Sequence, residues 1–203
     1  MKPTLFVFFL LMSLIGTTIS DFTFPWSDKP APPTTFKAKV VGDRLHFSFD
    51  VTDSDVICSK EWKGESTVDH EDRVEIFIAK DNDLHDYWCI EIDPEGRVHD
   101  YYARHYRKFD SKWNCPGLKT LARRTDHGYE VETSLPLATL SDLLGEPIQS
   151  GSRIRIGLFR AEFYGTAEGS RGEANDNWIS WVKPTTQNPD FHIPSAFREW
   201  QVP

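Results

Sequence analysis

Two stretches of strict alternation constrain the fold of this chain more than any other feature. In 72–78, Val74, Ile76 and Ile78 alternate with Arg73, Glu75 and Phe77. In 87–93, Trp88, Ile90 and Ile92 alternate with Tyr87, Cys89, Glu91 and Asp93. Successive side chains of an extended strand point to opposite faces, so a period of two marks strands that bury one apolar face. Trp88 keeps step with Ile90 and Ile92 and so belongs to the buried face. The second face, left to water or a ligand, sets carboxylates beside aromatics on rigid strands. Carboxylates accept hydrogen bonds from hydroxyls and rings cover apolar faces, a pairing suited to a polyhydroxylated ligand such as a sugar.

Further strand patterns fill most of the chain. They cover 35–41, 45–51, 97–106, 118–125, 128–135, 153–163 and 178–183. Gly42-Asp43 and Asp126-His127-Gly128 read as hairpin turns between neighbouring strands. Only 136–144 reads as a helix, with Pro136 in its first turn and Gly145 just past its end. Many evenly spaced strands and one short helix predict an all-β, antiparallel β-sandwich. A Pro-rich segment, 21–34, precedes the domain of 35–203 and is expected to lie extended across it.

The first 20 residues set one basic residue, Lys2, before an apolar run and end in small residues at Thr18 and Ser20. That is the pattern of a secretory leader cleaved after Ser20, and it predicts a secreted or periplasmic protein with no membrane span in the mature chain. The apolar run falls short of the roughly 20 residues that cross a bilayer. A net charge of −8 disfavours nucleic acid as a partner. The cysteines Cys58, Cys89 and Cys115 are odd in number. Cys58 and Cys115 each follow a strand-like segment and are the pair expected to bridge. The alternative is that all three stay reduced.

Trp62 and Trp113 sit in polar, turn-like stretches, where each is either a stacking plate for a ligand or a ring folded back on its own loop. The run Tyr101-Tyr-Ala-Arg-His-Tyr-Arg-Lys108 mixes bases and aromatics, either to grip an acidic group or as a solvated strand face. Arg160 and Glu162 continue the inward phase of Ile154, Ile156 and Leu158, so they must pair. Glu75 and Glu91 on neighbouring strands leave open a glycoside hydrolase, which needs two carboxylates about 5–9 Å apart. Haem held through methionine is excluded, because Met1 and Met12 are the only methionines and both lie in the leader.

In this order along the chain, Asp72-Arg-Val-Glu-Ile-Phe77, Gly128-Tyr-Glu-Val-Glu132, Pro136-Leu-Ala-Thr-Leu140, Ile156-Gly-Leu-Phe-Arg160, Ile179-Ser-Trp181 and Asn188-Pro-Asp-Phe-His-Ile-Pro-Ser-Ala-Phe197 resemble the family 9 carbohydrate-binding modules and the wider DOMON-like group. The resemblance covers nearly all of the mature chain. It implies a sugar-binding β-sandwich without catalysis, a glycan or polysaccharide partner, and action beside secreted glycoside hydrolases in carbohydrate breakdown. It also implies calcium, for which Asp53 and Asp55 in 50–55 are the candidate ligands. The family's slot maps onto Glu75, Asn188 and Phe191, with Phe191 replacing a tryptophan plate. Trp62 is the nearest replacement for the other plate, and Cys89 and Ala161 stand where polar ligands are expected.

Overall fold

In the computed structural model, which describes residues 16–165 and 177–203, the alternating stretches pair into two antiparallel sheets. The first has the order β1 (Thr17–Ile19), β2 (Thr34–Val41), β3 (Arg44–Thr52), β9 (Gly128–Pro136) and β8 (Lys119–Thr125). The second runs β10 (Arg153–Ala161), β4 (Arg73–Ala79), β5 (Tyr87–Ile92), β6 (Val98–Arg104) and β7 (Lys108–Asp110). Along its other edge β10 pairs with both β11 (Trp178–Ser180) and β12 (Arg198–Gln201). The helix α1, Leu137–Leu144, follows β9 and stops at Gly145, whose φ of 77° is the left-handed conformation expected there.

The main core lies between the sheets. Phe36, Phe47, Phe49 and Val131 of the first meet Val74, Ile76, Trp88, Ile90 and Leu158 of the second. The Pro-rich lead-in is part of this core, because Phe22 and Phe24 insert into it and Thr23 bridges Ser180. Arg160, expected to need a partner, is fully buried and paired with Glu162 and Asp53. Of the leader, residues 1–15 lie outside the described residues, whereas 17–19 form β1 and Ile19 is buried. Among the described residues no helix is long and apolar enough to cross a membrane.

One expectation is corrected. The outward face of the second sheet is not open to water along its length, since every residue of β4 and β5 is buried. A second apolar cluster covers it, with Phe77, Tyr87, Cys89, Tyr101 and Phe159 from the sheet and Phe191, Ile193 and Phe197 from the chain that returns after β11. Gly157 makes this packing possible: a Cβ there would lie 2.6 Å from Cε2 of Phe159, whose ring leans across it. Alternation reported which residues share a face, but the irregular segment covering that face has no period to read.

Candidate functional site

Where the cover stops, a recess of about 390 Å3 remains, within the roughly 300–1,000 Å3 of ligand pockets. Its floor is one row of the sheet. Glu75 faces Glu91 across β4 and β5, and Glu91 faces His99 across β5 and β6. Arg73, two residues before Glu75 and on the same face, places Nε 2.9 Å from Glu75 Oε1 and 2.7 Å from Glu91 Oε2. Tyr101 donates its hydroxyl to Glu91 Oε1 at 2.7 Å. Two like charges directly opposite would repel, and the shared guanidinium is what allows both carboxylates to be there.

Burial, and then the charge of Glu91, push the Glu75 carboxyl up to about 8, against the opposing pull of Arg73. His99 moves the same way: although burial disfavours its charge, the Asp69 carboxylate 2.8 Å from Nδ1 raises it. His192 is driven down to about 3 by burial and the nearby Arg107 charge. It is a neutral ring stacked on Phe77 and in hydrogen-bond contact with the Tyr87 hydroxyl at 3.1 Å.

The walls are aromatic. Trp178, whose ring lies 5.7 Å from the Arg73 guanidinium, stands near Phe191 on one side. Phe109, 45 % exposed, stands against His192 and Tyr101 on the other. Across the rim, Asp190 accepts from the Tyr106 hydroxyl at 2.6 Å and from Arg107 Nη1 at 2.9 Å. This joins the β6–β7 turn to the segment after β11.

Of the residues singled out from sequence, Glu75, Glu91 and Phe191 line the recess. Glu75 is a buried floor residue, 2 % exposed, rather than a solvated one, and its ion-pair partner is Arg73. Phe191 is 6 % exposed and stacked on Phe159, so it offers the recess little more than an edge. Asn188 is exposed and is not among the residues lining the recess. Trp113 packs against the main core. Trp62 lies in a different hollow, its ring 5.3 Å from the Arg97 guanidinium.

Cys58 and Cys115 are not bridged. Cys58 Sγ accepts from Arg97 Nη2 at 2.9 Å and lies 3.6 Å from Glu71, while Cys115 is buried in the core. Both are therefore held by other partners, and loop positions alone could not reveal that. Cys89 is fully buried beneath the cover, and Ala161 faces Arg73 across β10 and β4, its small side chain leaving room for the guanidinium. Arg73, His99, Tyr101, Phe109 and Trp178 were not assigned to the site from sequence. The shared phase of Arg73 and Glu75 was one usable signal, and the mix of bases and aromatics in 101–108, which holds Tyr101, was another.

Near the expected calcium ligands, Asp53, Asp72 and Glu162 offer carboxylate oxygens within 4.8 Å of one another. Asp55 is exposed; its backbone N–H donates to Asp53 Oδ1 at 2.8 Å. Asp53 Oδ2 is buried without a hydrogen-bond donor, and Arg160 is the guanidinium paired with this group. An all-oxygen set with excess negative charge fits a hard dication.

Solved structures share this architecture. A protein from Bacteroides uniformis, described as a candidate carbohydrate-binding protein, superposes with a TM-score of 0.67 at 15 % identity, over 92 % of this chain and 86 % of the other. A family 9 carbohydrate-binding module from Caldicellulosiruptor kristjanssonii in complex with glucose gives 0.54 at 14 %, over 91 % and 84 %. Its complex with cellotriose gives 0.56 at 14 %, over 93 % and 82 %. No curated protein matches the sequence. Residues 17–201 match the family described as "Carbohydrate family 9 binding domain-like", a family of non-catalytic binding modules. With nearly its whole length matched, the chain belongs to that carbohydrate-binding family.

Proposed function

We propose that the protein binds carbohydrate in the recess over β4, β5 and β6, as an exported, non-catalytic protein that captures glycans during polysaccharide breakdown. The carrying observation is the row of Glu75 and Glu91 fixed by Arg73 and flanked by Trp178 and Phe109. Preorganised acceptors read hydroxyls, while the rings remove apolar sugar surface from water at roughly 25 cal/mol per Å2. The two solved modules of the same fold that hold glucose and cellotriose support this ligand class. Hydrolysis is disfavoured because Glu75 and Glu91 lie side by side on one floor and are bound to one guanidinium, rather than flanking a bond from two sides.

Calcium, held by Asp53, Asp72 and Glu162, would act in this reading as a fold-stabilising ion, supplying positive charge to that buried group. Export rests on the apolar N-terminal segment. The deciding experiment is a glycan array followed by titration calorimetry on the secreted protein and on Trp178→Ala. Saturable glycan binding that Trp178→Ala weakens supports the reading. An array with no bound glycan, or turnover of a glycoside, overturns it.

A further inference from the structure

Trp62, 44 % exposed, is the most exposed tryptophan of the chain and belongs to none of the apolar clusters. Its ring lines a hollow of about 810 Å3, together with Ser59, Lys60, Glu95, Arg97 and Arg124. The Arg97 guanidinium lies 5.3 Å from the ring and is itself locked in place. It donates through Nε to Asp93, through Nη1 to the Ser59 carbonyl and through Nη2 to Glu71. Trp62 is thus a steadied aromatic plate in a concave, polar setting, and the fold leaves much of its apolar surface in water. The cations Lys60, Arg97 and Arg124 are matched in number by the carboxyls of Glu71, Asp93 and Glu95, so the hollow suits a neutral ligand.

The hollow is close to the recess but separate from it, and no residue lines both. Arg97 continues the phase of His99 and Tyr101, because its carbonyl still accepts from the Asp93 N–H at 3.1 Å. Both openings therefore lie on one face of the second sheet. The short 3-10 helix Glu65–His70 links them: Asp69 contacts His99, and Thr67 Oγ1 accepts from the Lys63 N–H at 3.0 Å.

Resting on the carbohydrate reading of the protein, we propose that Trp62 is the plate of a second glycan site, which takes one neutral, glucose-type pyranose ring of a β-1,4-linked chain. Such a ring carries its substituents equatorially, so its flat faces are C–H surface that an indole covers. Its hydroxyls project at the rim, where Lys60 and Arg124 donate and Glu95 accepts. One plate removes less apolar surface from water than the two walls of the recess, so this site is the weaker. Two sites on one sheet face make the second contact with a long chain intramolecular, which tightens the hold on a polysaccharide.

The test follows the indole N–H resonances of the isotope-labelled protein during titration with cellotriose. The Trp62 resonance is identified as the one lost in Trp62→Phe. It is expected to shift saturably, in the wild type and equally in Trp178→Ala, where the recess is impaired. Amorphous cellulose should retain the wild type about ten-fold or more tightly than Trp62→Ala. That variant should fold, because Trp62 lies outside the apolar clusters, and a native resonance pattern for the other tryptophans checks it. A Trp62 resonance that stays still, or equal retention of wild type and Trp62→Ala, overturns the second site. A Trp178 resonance that still shifts in that case leaves carbohydrate binding in the recess standing. If neither resonance moves and a glycan array is blank, both readings fall.

Discussion

Phe191 lies flat on Phe159, their ring centroids 4.0 Å apart and their planes 12° from parallel. Trp26 leans on Phe191 at 5.6 Å and Trp178 meets it edge-on at 5.8 Å. The residue that family resemblance offers as a sugar plate is thus an interior residue of the outer cluster.

Phe191→Ala is therefore expected to destabilise the protein by about 3–5 kcal/mol, as truncation of a buried phenylalanine does. Any loss of glycan affinity should follow from the loosened wall. Trp178→Ala, at a half-buried position, should weaken binding with a smaller fall in melting temperature. Denaturant unfolding and calorimetry on both variants check the contrast.

Glu75→Gln keeps the shape of the side chain and, above pH about 8 where the carboxyl is ionised, removes the charge that Arg73 answers. A hydrogen bond to a charged group contributes about 1.5–3 kcal/mol, so glycan affinity is expected to fall about ten-fold or more. Glu75→Ala should lower the melting temperature as well, since this carboxylate lies in the packed floor. Unchanged affinity with a lowered melting temperature would leave Glu75 a purely structural residue.

The stability of the fold should depend on pH through the same residue. Its folded pKa of about 8 stands above the ordinary glutamate value of 4.5, so the native state keeps a proton that the unfolded chain releases. That contribution is fully present below the unfolded value and is lost as pH rises through about 8. His99, raised, loses its contribution in the same direction, and His192, lowered to about 3, loses its own as pH falls. Comparing wild type with Glu75→Gln cancels the histidines. The wild type is expected to lose stability relative to the variant between pH 5 and 8, measured by urea unfolding.

Calcium should raise the melting temperature and EDTA should lower it. At a hundred-fold excess over the dissociation constant a bound ligand stabilises by about 2.7 kcal/mol, and each kcal/mol moves the midpoint of a domain of this size by roughly 2–4 °C. Asp53→Asn should abolish the response, whereas Asp55→Asn, at the exposed position, should retain it. Differential scanning calorimetry with and without calcium decides.

Cleavage after Ser20 would remove β1 and transfer the sheet edge to β2. N-terminal sequencing of secreted protein is expected to begin at Asp21. A chain that begins at Gly16 instead should be the more stable of the two, because it keeps Ile19, whose burial is worth roughly 1.5–3 kcal/mol.

The sandwich was legible because its long strands carry period-two patterns that reached the right faces: Val74, Ile76, Ile78, Trp88, Ile90 and Ile92 all enter the core. The strands β1, β7 and β12, of three, three and four residues, are too short to show a period. At the site, Glu75 and Glu91 were legible because alternation puts them in one outward row. Trp178 and Phe109 were not, since they lie on three-residue strands whose placement depends on tertiary packing. The roles of Phe191 and Trp113 turned on what lies above and beneath each ring, which no local pattern encodes. The expected Cys58–Cys115 bridge failed, and the alternative of three reduced cysteines held, for a related reason: Cys58 belongs to a polar cluster with Arg97 and Glu71 that assembles only in the fold.

Asp190 has one further consequence. By gripping both Tyr106 and Arg107 it fixes the spacing between two walls that lie more than 80 residues apart in the chain. The recess thus has a set gauge before any ligand arrives, so little ordering of its walls has to accompany binding. Ligands should be sorted by the breadth of the ring that enters, and loosening the Asp190 tie should blur that sorting before it weakens the fold.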